Sequence, residues 1–297
     1  MGSAGTTLDA TNHGGPFYWG VDCGSTQIKV CVCDSEGKIL HKRKGRTLFP
    51  LMEHVRKTLS GDDSDLSPLT EDLQNVKENH TLVVTGYGRN HIDFAHGKLT
   101  EISAHFLGAQ QQLQLEGPYT IVDIGGQDSK VIEVHDGRVG QFVINRKCAA
   151  GTGAFIEELA HRLEVRLEDL TDLARAHDKE MTLNSYCTVF SGQEVIKILM
   201  HGERLENLIH ALYASVVQRI LEMTSLNTDT VVFSGGVMNF NPVLLDLFKE
   251  KLPDQHTVLV EDAQYCGAYG AALYASGLAE KQVRKFSQSE IGAKLSM

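Results

Sequence analysis

"VDCGSTQIKVCVCDSEGKI" (residues 21–39) decides the fold, because it recurs as "VDIGGQDSKVIEVHDGRV" (residues 122–139). Three residues match in register, each shifted by 101 positions (123 − 22): Asp22, Gly24 and Lys29 with Asp123, Gly125 and Lys130. Each copy reads as an apolar strand ending in Asp-x-Gly, a second strand, and a Glu-Gly or Asp-Gly turn before a third strand. The repeat therefore predicts two β-hairpin units of common design.

The turn of each hairpin has the features of a phosphate-binding turn. It points backbone N–H groups into one spot, and its glycines let an anion approach closely. Ser25 and Thr26 add hydroxyl donors. An aspartate repels phosphate, so Mg²⁺ with its waters is expected between them. Two facing hairpins would hold a polyphosphate from both sides, and two unrelated hairpins with ordinary glycine turns are the alternative.

A third segment, "TVVFSGGVMNFNPVLLDLF" (residues 230–248), reads as a strand, a Gly-Gly turn and an apolar helix. Gly235 and Gly236 would let a base and ribose lie against the backbone. Alone this is a common strand-to-helix turn; following two phosphate hairpins, it predicts the nucleoside end of the same site.

Composition narrows the class of protein. The chain has 297 residues, of which 42% are hydrophobic, and a net charge of −10. This allows about two domains and disfavours a broad nucleic-acid surface. The basic run "HKRKGR" (41–46) reads as a solvated hairpin arm. No apolar stretch approaches a membrane span, and the start has neither a basic nor an apolar signal region, so residues 1–17 are expected to be a flexible tail.

Six cysteines without a CxxC pair exclude a zinc ribbon and a thioredoxin motif and favour a reducing cytoplasm. Two of them, Cys148 and Cys187, are predicted at or within a turn of a helix start, where the helix dipole stabilises anionic sulfur. A further four are expected to pack as small apolar residues: Cys23, Cys31, Cys33 and Cys266.

The helix after Cys148 is predicted from the spacing of Phe155, Ile156 and Leu159, and the helix after Cys187 from a capping box of Ser191 and Glu194. The glycines at 151 and 153 are expected to let the backbone approach a bulky inorganic ligand. A [4Fe–4S] cluster needs four thiolates, and a symmetric dimer of this chain would supply two from each subunit. On spacing alone, two buried cysteines that act as small apolar residues are the favoured interpretation.

"GVDCGSTQIKV", "IVDIGGQDSKV" and "VVFSGGVMN" resemble the two phosphate motifs and the adenosine motif of the sugar kinase, actin and actin-like chaperone superfamily. The resemblance implies an α/β, actin-like ATPase fold with two similar domains, duplicated ribonuclease-H-like units, around an ATP cleft. The first domain is expected over residues 18–117 plus 263–290. The second, carrying the two cysteines and the adenosine motif, is expected over residues 118–262.

"DIGGQDSK", "KCAAGTGAFIEELA" (147–160), "CTVFSGQEVI" (187–196) and "GAYGAALYA" (267–275) resemble a narrower group, as do "VTGYGR" and "TEISAH". This is the ATPase family of 2-hydroxyacyl-CoA dehydratase activators and benzoyl-CoA reductase ATP-binding subunits. It implies ATP, Mg²⁺ and a [4Fe–4S] cluster that bridges two subunits through Cys148 and Cys187. It also implies a homodimer or a homologous ATPase subunit, an acyl-CoA dehydratase or reductase partner, and a ferredoxin or flavodoxin as electron donor.

The expected function is ATP-driven transfer of low-potential single electrons to that partner, as in anaerobic metabolism. Asp22 and Asp123 would organise Mg²⁺, and Gln127 or Glu101 would orient the attacking water. The residues expected to contact ATP are Gly24, Ser25, Thr26, Gln27, Lys29, Gly125, Gly126, Glu194, Lys197, Gly235 and Gly236. A sugar-like kinase and a non-enzymatic actin-like ATPase remain alternatives, and activator and reductase subunit are both open.

Overall fold

A computed structural model describes residues 16–60, 80–146, 149–183 and 188–278. These fall into two compact units. The described residues up to Gln111, together with those from Gly267 onward, form the first unit, and Gln112–Cys266 form the second. The domain limits expected from the sequence, 117/118 and 262/263, stay a prediction. Within the described ranges, no helix is long and apolar enough to cross a membrane.

The first unit is built on a five-stranded mixed sheet with the order β3-β2-β1-β4-β5. Strands β1, β2 and β3 pair antiparallel, whereas β4 pairs parallel with both β1 and β5. The strands are β1 (Phe17–Cys23), β2 (Gln27–Cys33), β3 (Ile39–Arg46), β4 (His80–Thr85) and β5 (Gly97–Lys98). The basic run 41–46 lies on β3, the edge strand, so its prediction as a hairpin arm is confirmed.

Helices cover both faces of this sheet. Val55 of α1 (Leu51–Ser60) packs with Val21 and Ile28 on one face. The opposite face carries α9 (Cys266–Ala275), where Ala272 packs against Cys31 and Cys33. Because side chains alternate along a strand, residues 28, 30 and 32 serve one layer and residues 31 and 33 the other.

Close packing explains the small residues of the segment 267–275. A Cβ on Gly20 of β1 would lie 1.9 Å from the Ala268 carbonyl oxygen. A Cβ on Gly270 would lie 1.8 Å from the carbonyl oxygen of Ala104, on α2 (Glu101–Leu113). Helix α9 therefore touches its neighbours backbone to backbone, which only glycine permits at these positions.

The second unit repeats the sheet of the first. Its order is β10-β9-β6-β7-β8, with β6, β7 and β8 antiparallel and β9 parallel to β6 and β10. The strands are β6 (Tyr119–Ile124), β7 (Ser129–His135), β8 (Arg138–Asn145), β9 (Thr230–Ser234) and β10 (His256–Leu259). Asp22 pairs with Lys29 across β1 and β2, and Asp123 pairs with Lys130 across β6 and β7. The α/β fold with two similar domains is thus confirmed.

Helices pack around the second sheet to form the larger apolar core. They are α3 (Gly153–Arg162), α4 (Leu170–Arg175), α5 (Thr188–Met200), α6 (Leu205–Leu221), α7 (Gly236–Phe240) and α8 (Pro242–Lys251). Phe155, Leu212 and Phe248 are buried together in this core, and the Phe233 and Phe248 ring centroids lie 4.5 Å apart. The prediction of a helix from Phe155, Ile156 and Leu159 is confirmed, since all three are buried on α3. The strand, Gly-Gly turn and helix predicted over 230–248 are also confirmed.

The predicted start of the helix after Cys187 was wrong. Helix α5 begins at Thr188, so Ser191 lies inside its first turn and is not the N-cap of a capping box with Glu194. The spacing of the apolar residues after Glu194 predicted the body of the helix correctly. A serine or threonine three residues before a glutamate, however, also occurs inside helices, so this pattern alone does not mark a helix start. Cys187 therefore stands directly before the helix.

Candidate functional site

The first turn follows β1. The Gly24 N–H donates to the Gln27 carbonyl oxygen at 3.1 Å, and the Thr47 hydroxyl donates to the Gly24 carbonyl oxygen at 2.7 Å. Ser25 and Thr26 are exposed at its tip. A Cβ on Gly24 would lie 2.8 Å from the Gln27 oxygen, so the turn itself requires this glycine. The turn thus presents exposed hydroxyls on a rigid, backbone-bonded frame.

Asp22 lies at the base of this turn and is largely buried. Its Oδ2 is 3.3 Å from the Lys29 Nζ, directly across the hairpin. Thr85 stands opposite it on β4, with a buried hydroxyl that has no hydrogen-bond partner. Gly86 follows with φ +89°, and a Cβ there would lie 2.5 Å from Asp22 Oδ1. Asp22 is therefore fixed on one side by a lysine and on the other by a glycine.

The second turn has the same construction. The Gly125 N–H donates to the Asp128 carbonyl oxygen at 2.9 Å. Asp123 Oδ2 lies 3.1 Å from the Lys130 Nζ, which also contacts Asp128 Oδ1 at 2.8 Å. Gly126 is half-buried and Gln127 is exposed at the tip of the turn. The sequence repeat thus corresponds to a structural repeat, in which both the backbone-bonded turn and the Asp–Lys ion pair recur.

Ser234 and Gly235 correspond to Thr85 and Gly86. The Ser234 hydroxyl donates to Asp123 Oδ1 at 3.3 Å. Gly235 has φ +98°, and a Cβ there would lie 2.6 Å from the same oxygen. At Gly236, by contrast, an added Cβ would meet no described atom within 4 Å. Open space therefore begins one residue after the glycine that touches the carboxylate.

The two ion pairs differ in exposure. The side chains of Lys29 and Asp22 are 16% and 12% exposed, whereas those of Lys130 and Asp123 are 3% each. Asp123 also accepts a bond from Ser234, so both of its oxygens have partners in the second unit. The first carboxylate is therefore the more accessible of the two for a metal-bound water.

The segment after Cys148 lies directly on the second turn. The Gly153 N–H donates to the Gly125 carbonyl oxygen at 2.9 Å, and the Ala154 N–H donates to the Gly126 oxygen at 2.7 Å. The Ser129 hydroxyl donates to the Gly151 carbonyl oxygen. The N-terminus of α3 is therefore hydrogen-bonded to the backbone of the predicted phosphate turn.

This contact corrects the role expected for Gly153 and adds a packing role for Gly151. A Cβ on Gly153 would lie 3.0 Å from Val237 Cγ2 and 3.2 Å from Gly126 Cα. Gly151 has φ +79°, and a Cβ there would lie 3.0 Å from the Arg219 side chain. Both glycines serve close packing inside the second unit, and the N–H of Gly153 already has a protein acceptor.

Cys148 and Cys187 lie outside the described residues. The helices that follow them are described: α3 begins at Gly153 and α5 at Thr188. On α5, Glu194 is half-buried and Lys197 is exposed. These two side chains therefore lie on a helix of the second unit that starts next to a predicted ligand.

Glu101 is the first residue of α2 in the first unit. Its Oε1 lies 3.9 Å from the Arg89 Nη1, and Arg89 also donates to the Gly86 carbonyl oxygen at 3.0 Å. Glu101 is thereby linked through Arg89 to the glycine that touches Asp22. Gly86 and Arg89 were not predicted from the sequence as site residues. The glycine directly after β4, the strand parallel to β1, was the feature that could have indicated Gly86.

The other cysteines are buried, which confirms their predicted packing role. Burial and the neighbouring Asp22 carboxylate raise the pKa of Cys23 to about 12. Burial likewise raises the pKa of Cys33 to about 12, and Asp34 adds to the effect. These thiols stay protonated at neutral pH, so they are poor metal ligands.

The sequence matches a family of ATPases, which is consistent with the two turns described above. Residues 19–275 match the model of the BadF/BadG/BcrA/BcrD ATPase family. The chain belongs to this ATPase family. The match includes both turns, Gly86 and Gly235, and the described helices α1, α2 and α9 of the first unit.

Among relatives, the activating ATPase of (R)-2-hydroxyglutaryl-CoA dehydratase from Acidaminococcus fermentans is 34% identical over 89% of this chain and 99% of its own length. The activator of lactoyl-CoA dehydratase from Anaerotignum propionicum is 37% identical over 90% of this chain and 100% of its own length. A benzoyl-CoA reductase component from Thauera aromatica is 25% identical, with 89% of this chain and 95% of that protein covered.

Among solved structures, the activator of 2-hydroxyisocaproyl-CoA dehydratase from Clostridium difficile with bound ADPNP superposes with a TM-score of 0.75. It is 29% identical, and the match covers 91% of this chain and 98% of that one. A ROK family glucokinase from Streptomyces griseus gives a TM-score of 0.50 at 15% identity, with 88% and 99% covered. The latter shows the shared fold alone.

Proposed function

We propose that this member of the BadF/BadG/BcrA/BcrD family is an ATP-hydrolysing activator that drives single electrons into an acyl-CoA dehydratase. The observation that carries the proposal is the duplicated turn with its Asp–Lys pair, in a chain that matches dehydratase activators over their whole length. The higher identity to activators than to the benzoyl-CoA reductase component favours an activator over a part of a reductase.

ATP fits the described residues of both units. The turns at Gly24 and Gly125 present backbone and hydroxyl groups of the kind that hold phosphates. Gly236 borders open space next to a strand end, which suits a ribose or base. The proposed ATP contacts are those expected from the sequence: residues 24–27, Lys29, Gly125, Gly126, Glu194, Lys197, Gly235 and Gly236. Lys29 is the least direct of these, because its ammonium already pairs with Asp22.

Mg²⁺ fits the carboxylates, which are the ligands or water acceptors this ion prefers. Asp22 is the better placed of the two proposed residues, since it is more exposed and only one of its oxygens bonds to a lysine. Asp123 would act mainly by fixing the second turn through Lys130 and Ser234. Glu101 and Gln127 remain the proposed residues for orienting the attacking water, and Gln127 is the more exposed.

A [4Fe–4S] cluster is proposed at Cys148 and Cys187 of two subunits, and it would supply one-electron chemistry at low potential. What supports the proposal in the described residues is the position of α3 and α5, which start within five residues of each cysteine. Helix N-termini stabilise anionic sulfur. Among the described cysteines, Cys23 and Cys33 are poorly suited to the role, because burial keeps their thiols protonated.

The backbone bonds between the second turn and α3 suggest how ATP would act on this part of the chain. Gly125 and Gly126 accept the first N–H groups of α3. A turn that tightens around a phosphate would therefore carry the start of α3 with it. The main-chain contact between the turn and α3 would thus couple ATP binding to the cluster region. Electrons would arrive from a ferredoxin or flavodoxin and pass to a partner acyl-CoA enzyme.

The experiment is an anaerobic purification of three forms: wild type, Cys148→Ser and Cys187→Ser. We expect both variants to lose most bound iron and sulfide and all ATP-dependent electron delivery, while they retain ATP binding. Cys33→Ser is the matched control, because Cys33 is a buried thiol that is not one of the predicted ligands. Full iron content in Cys148→Ser, or an iron-free wild-type protein that phosphorylates a sugar, would contradict the proposal.

A further inference from the structure

Three potential metal ligands meet on one side of α6 in the second unit. They are His177, Glu180 and His210, whose ligand atoms all lie within 4.8 Å of one another. The first two belong to the segment that follows α4, and His210 belongs to α6. No step of the proposed function uses any of them.

His210 is the anchor of this group. The residue is 4% exposed, and its Nδ1 is buried without a hydrogen-bond partner. The closest acidic oxygen, Glu180 Oε2, is 3.7 Å away, beyond hydrogen-bond distance. A buried polar atom without a partner is destabilising, and such atoms are rare in folded proteins. The Nδ1 of His210 is therefore buried close to Glu180 without forming a hydrogen bond.

His177 carries the hydrogen bond that fixes a metal-binding tautomer. Its Nδ1 lies 2.9 Å from the Ala174 carbonyl oxygen, which can only accept, so Nδ1 carries the proton. The Nε2 then has the lone pair, and it lies 3.4 Å from Glu180 Oε1. A carbonyl bound to the outer nitrogen is the usual support of a histidine ligand.

The segment that presents His177 and Glu180 is held in place by Asn207, which is buried on α6. The Asn207 side-chain oxygen accepts from the Asp178 N–H at 3.0 Å and from the Lys179 N–H at 3.3 Å. The Lys179 Nζ also lies 2.7 Å from Glu203 Oε2. Asn207 precedes His210 by three residues, so the same helix face fixes the segment and supplies the third ligand.

We propose that His177, Glu180 and His210 form a binding site for a divalent transition-metal ion of the Zn²⁺ class. Two imidazoles and one carboxylate match the ligands of such ions, whereas Mg²⁺ and Ca²⁺ prefer oxygen alone. The ion would bind through His177 Nε2, a Glu180 oxygen and His210 Nδ1. Its effect would be to clip the segment after α4 onto α6.

Binding requires one ring to turn. The His177 and His210 rings are stacked, with centroids 3.6 Å apart and planes 12° from parallel. An imidazole binds a metal in the plane of its ring, so one ion cannot serve both rings until the planes open. His177 is the ring that turns, about the axis of its Nδ1 bond to the Ala174 carbonyl oxygen, because its side chain is 29% exposed and lies on a connecting segment. Loss of the stack is thus a signature of binding.

The test uses the full chain and Zn²⁺ as the probe, titrated in competition with a chromophoric chelator. We expect His177→Ala and Glu180→Gln each to weaken one Zn²⁺ site by at least about tenfold, the size of effect that follows loss of a supporting group at a metal site. His256→Ala is the matched control, since His256 is an exposed histidine of the same unit. Equal Zn²⁺ affinity in all four proteins would overturn the site.

Two further readouts separate this site from thiol ligands and from misfolding. Bound Co²⁺ should show visible bands of nitrogen and oxygen ligation that disappear in Glu180→Gln; a thiolate charge-transfer spectrum insensitive to that change would overturn the proposal. Zn²⁺ should raise the Tm of wild type and His256→Ala but not of Glu180→Gln, because a ligand stabilises only the fold that binds it. An equal Tm rise in Glu180→Gln would also count against it.

Discussion

Gly86 shows how much one residue without a side chain can determine. Its φ of +89° is open to glycine, and a Cβ there would overlap Asp22 Oδ1 at 2.5 Å. The same relation joins Gly235 to Asp123 in the second unit. Each carboxylate is therefore pressed against a main chain that cannot carry a side chain, which keeps it aimed at its turn.

Gly86→Ala should lower the free energy of unfolding by about 3 kcal/mol, because it adds backbone strain to an overpacked contact. It should also lower ATP hydrolysis, since Asp22 must move away. Gly137→Ala is the control: Gly137 also has a positive φ, +65°, but an added Cβ would meet no described atom within 4 Å. We expect a loss of about 1 kcal/mol there. Equal losses in urea denaturation would refute the contact argument.

His41 on the edge strand β3 should make stability depend on pH. Burial, and then the Arg43 guanidinium, lowers the pKa of His41 below its usual 6.5, and its Nε2 is buried without a hydrogen-bond partner. Below pH 6.5 the unfolded chain takes up this proton more readily than the folded one, so stability falls as the pH drops through 6.5 toward the lowered pKa.

We therefore expect the Tm of wild type to fall between about pH 7.5 and about pH 5.5, and part of that fall to disappear in His41→Gln. The comparison is made by thermal denaturation of both proteins at the two pH values. An identical fall in the two proteins would show that His41 does not carry this proton linkage.

At the scale of elements, the contact that matters is the one between the second turn and α3. Two consecutive N–H groups of the helix donate to the carbonyl oxygens of Gly125 and Gly126. Gly153 allows the approach, because a Cβ there would crowd Val237 and Gly126. Because the turn and the helix are joined in this way, we expect a shift of the turn on nucleotide binding to displace the start of α3.

Gly153→Ala should separate ATP hydrolysis from electron delivery. The added methyl would push α3 from the turn, so we expect ATP hydrolysis to persist while electrons delivered per ATP fall roughly tenfold. Both rates would be measured under anaerobic conditions with an acyl-CoA dehydratase, the proposed partner, as the electron acceptor. Ala154→Gly, which adds no contact, is the control. A parallel loss of both rates in Gly153→Ala would argue against this coupling contact.

Sequence patterns predicted the parts of the fold that local chemistry dictates. The Asp-x-Gly repeat indicated both hairpins and their register, since strand alternation and turn glycines act over a few residues. The capping box at Ser191 was wrong, and so was the role of Gly153, because each depends on which distant backbone lies next to it. His177 and His210 could not be paired from sequence, since they meet only when α6 packs beside the preceding segment.

At the scale of the whole molecule, the two domains share a strand order, but their Asp–Lys pairs differ in solvent exposure. Both have the same strand order and the same Asp–Lys register. The Asp22 pair is partly exposed, whereas the Asp123 pair is almost wholly buried. One copy is therefore better suited to chemistry with solvent and ions, and the other to holding a turn rigid.

This inequality predicts that one substitution made in the two copies has unequal effects on stability and on ATP hydrolysis. Asp123→Asn should lower the free energy of unfolding by about 3 kcal/mol, because it removes one partner of a buried ion pair. Asp22→Asn should lower it by only about 1.5 kcal/mol, the size of a hydrogen bond to a charged group. It should instead reduce Mg²⁺-dependent ATP hydrolysis roughly 100-fold. Chemical denaturation measures the free energy of unfolding, and an ATPase assay measures the rate of hydrolysis. If Asp123→Asn is as stable as wild type and Asp22→Asn is fully active, the division of roles is refuted.

The spacing of the repeat bears on where the proposed ligands lie. Asp22 and Asp123 are 101 positions apart (123 − 22), but Gly86 and Gly235 are 149 apart (235 − 86), so the later copy holds 48 more residues (149 − 101) between the same two landmarks. Cys148, Cys187 and the histidine pair all fall within that longer interval. The residues proposed to bind a cluster and a metal ion thus lie in an insertion relative to the first copy, outside the Asp, Lys and Gly positions that the two copies share.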